Sequence, residues 1–255
     1  MNKHFFIFFI AIAVFANSYG QLYVEKEEVK DSSATIPLFK ASFAYQFSGS
    51  DMAERFGANY NVGGSFGIKM HNNWYVGFKG NFLWGAEVKQ NDILDQITTS
   101  DGELIKADGR TTAVFLDQRG SSFFLTAGRM FNVLAPNKNS GFLVYGGAGF
   151  LQHKISIKYR GTVNNLTDEH KKGYDRFSFG FALNGFAGYL FLSKNRLVNF
   201  YGGIDITQGW TKNLRKFNYD TGMPDNEVRS DLLYGFRVGW IIQLNKRTQD
   251  EFYYY

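Results

Sequence analysis

The sequence predicts an all-β protein, an eight-stranded antiparallel transmembrane β-barrel with short periplasmic turns and long extracellular loops. Three observations carry that expectation. The stretch Gly57–Leu83 alternates strictly in twos. Aromatic residues make up 18% of the chain, with 28 Gly and only 3 Pro, a composition that suits packed strands better than helices. The segments between alternating runs are by turns short and long.

The alternating stretch sets the pattern. Tyr60, Val62, Phe66, Ile68 and Met70 fall on one face, and Asn59, Asn61, Gly63, Ser65, Gly67 and Lys69 on the other. After His71-Asn72-Asn73, Trp74, Val76, Phe78, Phe82 and Trp84 interleave with Tyr75, Gly77, Lys79, Asn81 and Leu83. A period of two is the mark of a strand with unlike faces. The Asn-Asn pair suits a tight turn, because Asn tolerates positive φ. In a small membrane barrel the apolar set faces lipid and the polar set fills the interior, with aromatic girdles at both ends. Trp74, Trp84, Tyr189 and Trp240 are the expected girdle.

The other strands follow in order. The first is Leu38–Phe47, with Phe39, Phe43, Tyr45 and Phe47 outward and Lys40 and Gln46 inward. The fourth, Ser121–Asn132, is read with Arg129 inside and Phe124, Thr126 and Met130 facing lipid. The fifth, Phe142–Lys158, is read with Leu143, Tyr145, Leu151, Ile155 and Ile157 outward and Lys154 inward. The sixth, Phe177–Phe191, alternates most cleanly: Phe179, Phe181 and Leu183 against Ser178, Ala182 and Asn184. The seventh, Val198–Thr207, points Asp205 inward, and the eighth, Asp231–Asn245, points Asp231, Arg237 and Asn245 inward.

The longest interruption, Glu87–Arg119, is expected to be an ordered loop. It has a helical turn near Ile93–Ile97 and a small hairpin about Asp108-Gly109, a strong two-residue turn signal. Asp92, Asp95 and Asp108 do not have calcium-loop spacing and read as a solvated acidic surface. Segments 160–175 and 211–230 read as further polar loops.

Several function classes drop out. No interior run reaches the roughly 18–20 apolar residues of a spanning helix, and mean hydropathy is −0.26. The net charge of +5 is spread along the chain, whereas nucleic-acid binding wants a clustered basic face. With no Cys, disulfides and thiolate chemistry are excluded. At the start, Lys3 precedes the apolar run Phe5–Phe15 and then the small residues Ser18 and Gly20. This is an export signal in residues 1–20, cleaved before Gln21. Residues 21–36 form a periplasmic lead-in, 37–245 the barrel and 246–255 a periplasmic tail.

Over residues 37–245 the pattern resembles the small eight-stranded outer-membrane barrels of the outer-membrane protein A/X type, in the aromatic- and Gly-rich style of Bacteroidota. That family's peptidoglycan-binding domain is not part of the resemblance. There is also a loose similarity to accessory barrels of type IX secretion and gliding machinery. The resemblance implies an outer-membrane location and a non-enzymatic structural or interaction role, without cofactor. Outer-membrane lipid would then surround the barrel, and a protein partner would bind through the Glu87–Arg119 loop or the C-terminal tail.

The candidates for chemistry are the interior charges Lys40, Lys69, Lys79, Arg129, Lys154, Asp205, Asp231 and Arg237. They read as a packed polar network, because an eight-stranded barrel is only wide enough for side chains to fill it. The alternative of a lipid-modifying enzyme needs a His-x-Ser pair on a lipid-facing strand. His153 is followed by Lys154, and Ser156 falls on the opposite face, so the pair fails. Gly146-Gly147-Ala148-Gly149 lies inside a strand with no helix after it and is no phosphate loop.

Overall fold

The structure is a computed structural model that describes residues 35–164, 166–193 and 199–244. The expected export signal, residues 21–34 of the lead-in, Val198, Asn245 and the tail 246–255 lie outside the described residues. The strands are β1 (Ile36–Ser50), β2 (Asn59–Lys69), β3 (Trp74–Gly85), β4 (Glu103–Ile105), β5 (Thr111–Ala113), β6 (Phe115–Phe131), β7 (Gly141–Lys158), β8 (Ser178–Leu192), β9 (Asn199–Asn213) and β10 (Val228–Gln243). Eight of them close into an antiparallel barrel, in the order β1-β10-β9-β8-β7-β6-β3-β2; β4 and β5 form a separate hairpin. Closure leaves the barrel with no unpaired edge strand. Among the described residues no helix is long and apolar enough to cross a membrane.

The barrel strands run from 11 residues in β2 to 18 in β7, against the roughly 9–11 that a tilted spanning strand needs. Their outward face is apolar and bare: Phe43, Phe78, Phe82, Phe123, Leu125, Phe150, Phe181, Ile204 and Phe236 are all exposed. Their inward face holds Lys40, Asn61, Lys79, Asn184, Asp205 and Arg237, all buried. This inversion of the soluble pattern is that of a transmembrane barrel. One barrel end carries the connections 70–73 and 132–140 and the paired strand ends Leu192 and Asn199, and the other carries 51–58, 86–114, the described residues of 159–177, and 214–227. At the first short turn Asn73 takes φ 65°, and Met70 N–H donates to Trp74 O at 2.7 Å.

Two strands present the faces opposite to those expected. On β6, Phe123, Leu125 and Phe131 are exposed, Arg129 among them, while Phe124, Thr126 and Met130 are buried. On β7, Leu143, Tyr145, Leu151, Ile155 and Ile157 are buried, and Lys154 and Lys158 are exposed. Arg129 and Lys154 are therefore not lumen residues. The reason is that apolar layers interrupt the polar lumen toward both ends. An apolar layer of Leu38, Met130, Leu143, Leu190 and Ile241 fills the short-turn end. A second, with Leu83, Phe124, Leu151, Ile155 and Leu233, fills the long-loop end. The inward face of β7 is thus as apolar as its outward face, and both faces of β6 mix polar and apolar residues, so polarity does not tell them apart. The strands also run further than expected: β6 starts at Phe115, β9 continues to Asn213 and β10 begins at Val228. The long loop shrinks to 86–114.

Candidate functional site: the filled lumen and its cap

In mid-lumen Asp205, fully buried, is the centre of the polar network. Lys79 Nζ reaches its carboxylate at 2.7 Å and Arg237 Nε at 3.0 Å. Asn184 donates at 3.2 Å. The Arg237 guanidinium spends its other N–H groups on Ser42, Asn81 and Asn61, at 2.9, 3.2 and 3.1 Å. Lys79 also donates to Asn184 Oδ1 at 2.9 Å. Two cations thus share one carboxylate and a ring of amides, which is how buried charge becomes tolerable.

Below this layer the Lys40 ammonium stands 4.0 Å from the Tyr75 ring centroid, 5.3 Å from that of Tyr201 and 5.4 Å from that of Tyr145. Cation–π attraction to three ring faces replaces a carboxylate here. Lys69, nearer the short turns, donates to Asn139 Oδ1 at 3.1 Å.

Toward the long loops lies a second buried carboxylate, Asp231. It pairs with Arg55, accepts from Thr211 Oγ1 at 2.5 Å, and lies 2.8 Å from His153 Nε2. Arg55 belongs to the short helix Asp51–Arg55, which enters the barrel mouth with Met52 and Phe56 buried beside it. The Phe56 ring meets the His153 ring edge-on at 5.6 Å. The ion pair therefore ties the helix to the barrel wall.

The loops close over this layer. Asn91–Leu94 is one turn of 3-10 helix that buries Ile93 and Leu94 with Val88, Leu104, Val163 and Leu166. The β4–β5 hairpin rises from it, with Gly109 at φ 81° and Arg110 N–H donating to Asp108 Oδ1 at 3.0 Å. Across the cap, Arg215 grips Asp175 through both carboxylate oxygens, at 2.7 and 2.6 Å. That hydrogen bonding, helped by the carboxylate's charge and opposed by partial burial, raises the Arg215 pKa.

Of the expected lumen residues, Lys40, Lys69, Lys79, Asp205, Asp231 and Arg237 are inside, and all but Lys69 belong to the layers above. Trp74 and Trp240 are exposed on the outward face, and Trp84 and Tyr189 lie half-buried on the same face. Asp92 and Asp95 are exposed on the cap. Among the described residues, no three His, Cys, Asp or Glu side chains gather as a metal site. Sequence reasoning missed Arg55 and Thr211, and weighed His153 only as a lipid-facing residue. Asp231 was the available signal, since an inward carboxylate at the mouth calls for a buried cation.

No family model matches the chain, and no curated protein matches it. Solved structures similar in fold are outer-membrane barrels. Ail, the attachment invasion locus protein of Yersinia pestis, is 13% identical in complex with the heparin analogue sucrose octasulfate, covering 82% of this chain and 99% of that one at TM-score 0.35. A second Ail structure is 10% identical with the same coverage and score. OprG of Pseudomonas aeruginosa is 13% identical, covering 83% and 97% at TM-score 0.34. At such scores the likeness carries no weight on function.

Proposed function

We propose that the protein is a non-enzymatic outer-membrane barrel with a structural or interaction role, an accessory subunit whose working surface is the loop cap. The short turns then lie on the periplasmic side and the long loops outside. One observation carries this reading: the lumen is filled, with an apolar layer on each side of the Asp205 network. A filled barrel has no interior to work with, so its activity falls to its exterior. His153, the strand histidine a lipid-modifying enzyme would need, is fully buried against Asp231. It cannot meet lipid, and this argues against that rival.

On the cap, the β4–β5 hairpin is anchored by Leu104, which is buried, and presents Ile105 outward, 57% exposed. Holding it in shape costs roughly 1–2 kcal/mol per residue in backbone entropy, which suggests a surface kept for a partner. Replacing Lys106–Arg110 by a Gly-Ser linker should leave a heat-modifiable, non-conducting barrel that no longer co-purifies with partners crosslinked in native membranes. Retention of partners after that change, with loss on removing Phe252–Tyr255, would move the binding surface to the tail. Stepwise conductance in a planar bilayer would refute the filled lumen.

A further inference from the structure

Outward-facing cations gather on one sector of the barrel at its long-loop end. Arg119 of β6 and Lys154 of β7 lie directly opposite each other in the register, with Lys158 four residues further along β7 at the level of Phe115. Lys212 of β9 is opposite Phe179 of β8. At that end β1, β2, β3 and β10 instead carry Phe47, Tyr60, Trp84 and Tyr234 outward, with no outward Lys or Arg among the described residues. The carboxylates nearby do not neutralise the group. Asp117 is shared between Lys158 and Arg119. Lys154 reaches Asp175 only at 3.9 Å, and that carboxylate is already taken by Arg215.

Beneath the cations runs an aromatic row. Phe123 and Phe150 are opposite each other, Phe150 stacks on Phe179 at 5.4 Å, and Phe181 stacks on Trp210 at 6.2 Å. Further toward the middle, Gly146 faces Ala127 on one side and Gly185 on the other. A Cβ built on Gly185 would meet nothing within 4 Å, and one on Gly146 nothing nearer than a backbone oxygen at 3.9 Å. Inward glycines are different: at Gly180 a Cβ would fall 1.8 Å from Trp210 O. Packing within the protein therefore explains Gly180 and does not explain Gly146 or Gly185. Their missing side chains leave a hollow on the lipid side. From Gly146 up to Lys154 is roughly 26 Å of strand at about 3.3 Å per residue. At a tilt of about 45° that is about 18 Å of depth, close to one leaflet.

We propose that this sector is a binding site for a phosphate-bearing lipid of the outer leaflet. The headgroup phosphate seats against Arg119, Lys154 and Lys158, and an acyl chain passes the phenyl row to lie over the Ala127–Gly146–Gly185 hollow. Arg suits phosphate through its planar fork of donors and Lys as a point charge. The site rests on the outer-membrane reading above, which puts the long loops at the outer leaflet.

The test uses the full chain in phosphatidylcholine nanodiscs doped with either a bis-phosphorylated glucosamine lipid or diacylglycerol, with retained lipid counted by native mass spectrometry. The wild type should retain the phosphorylated lipid and not diacylglycerol. Changing Arg119, Lys154 and Lys158 together to Ser should cut retention at least tenfold, since a basic residue near an anionic surface is worth about fivefold. Gly146→Leu with Gly185→Leu should cut it without touching a charge. Changing Lys89, Lys172 and Lys216 of the cap to Ser should leave it unchanged. Equal retention by the first triple variant, or equal loss in the cap variant, would overturn the site. So would full displacement by inorganic phosphate together with indifference to the two Leu substitutions, since that is a phosphate site with no acyl groove. Failure in a protein that still needs detergent and shifts on heating counts against the lipid site alone. Detergent-free solubility counts against both readings.

Discussion

Asp205 holds the mid-lumen together because two buried cations, Lys79 and Arg237, depend on its carboxylate. Asp205→Asn should cost about 3–5 kcal/mol, the usual penalty for leaving buried charge without its partner. Replacing Asp205, Lys79 and Arg237 together by Asn, Met and Met should cost less than that single change. Urea titration of the reconstituted barrel compares the two, and a triple variant weaker than the single would contradict this account of the network. At the cap, Asp225 is held by Arg229 at 2.7 Å. Burial works against its ionisation, but the hydrogen bond and charge of Arg229 outweigh it, so its carboxyl sits below the usual range. A depressed carboxyl stabilises the fold above its unfolded pKa of about 3.9 and loses that contribution as pH falls through the lower folded value. Hydrogen-exchange protection in the loop 214–227, taken relative to the intrinsic amide rate at each pH, should therefore hold from neutral pH down to about 4 and fall below it. Asp225→Asn should remove that acid step.

At the scale of elements, β6 and β7 are where alternation misled. On β8 the sequence was transparent, because Phe179, Phe181 and Leu183 face Ser178, Ala182 and Asn184 across one strand. On β7 the inward set Leu143, Tyr145, Leu151 and Ile155 is as apolar as the outward set, since it supplies the stoppers of the lumen. Lys154 and Arg129 then drew the inference inward, although they sit near the strand ends, where an outward cation meets water and headgroups at little cost. His153 was assigned to the lipid face for the same reason, lying between Leu151 and Ile155 on the misassigned face. The corrected faces make a sharp prediction. Leu125, 74% exposed near mid-strand, should cost about 2–4 kcal/mol when changed to Arg. Arg129→Leu, toward the short-turn boundary, should be close to neutral. Heat-modifiable migration after refolding reads both, and the reverse ranking would restore the original face assignment.

For the whole molecule, the closed barrel and the alternation of short and long connections were legible because they depend on a period of two and on turn chemistry such as Asn72-Asn73 and Asp108-Gly109. The layering of the lumen was not, since it depends on which strands meet at one height, and register is a property of the closed sheet. The central claim is that the aromatic face looks at lipid. The chain's 4 Trp offer a direct probe: Trp74, Trp84, Trp210 and Trp240 all lie on the outward face. The measurement is tryptophan fluorescence of the refolded chain in vesicles whose acyl chains carry bromine, beside acrylamide added to the water. Most of the emission should be quenched by the brominated chains and little of it by acrylamide. Strong quenching by acrylamide with none from the brominated lipid would contradict the account.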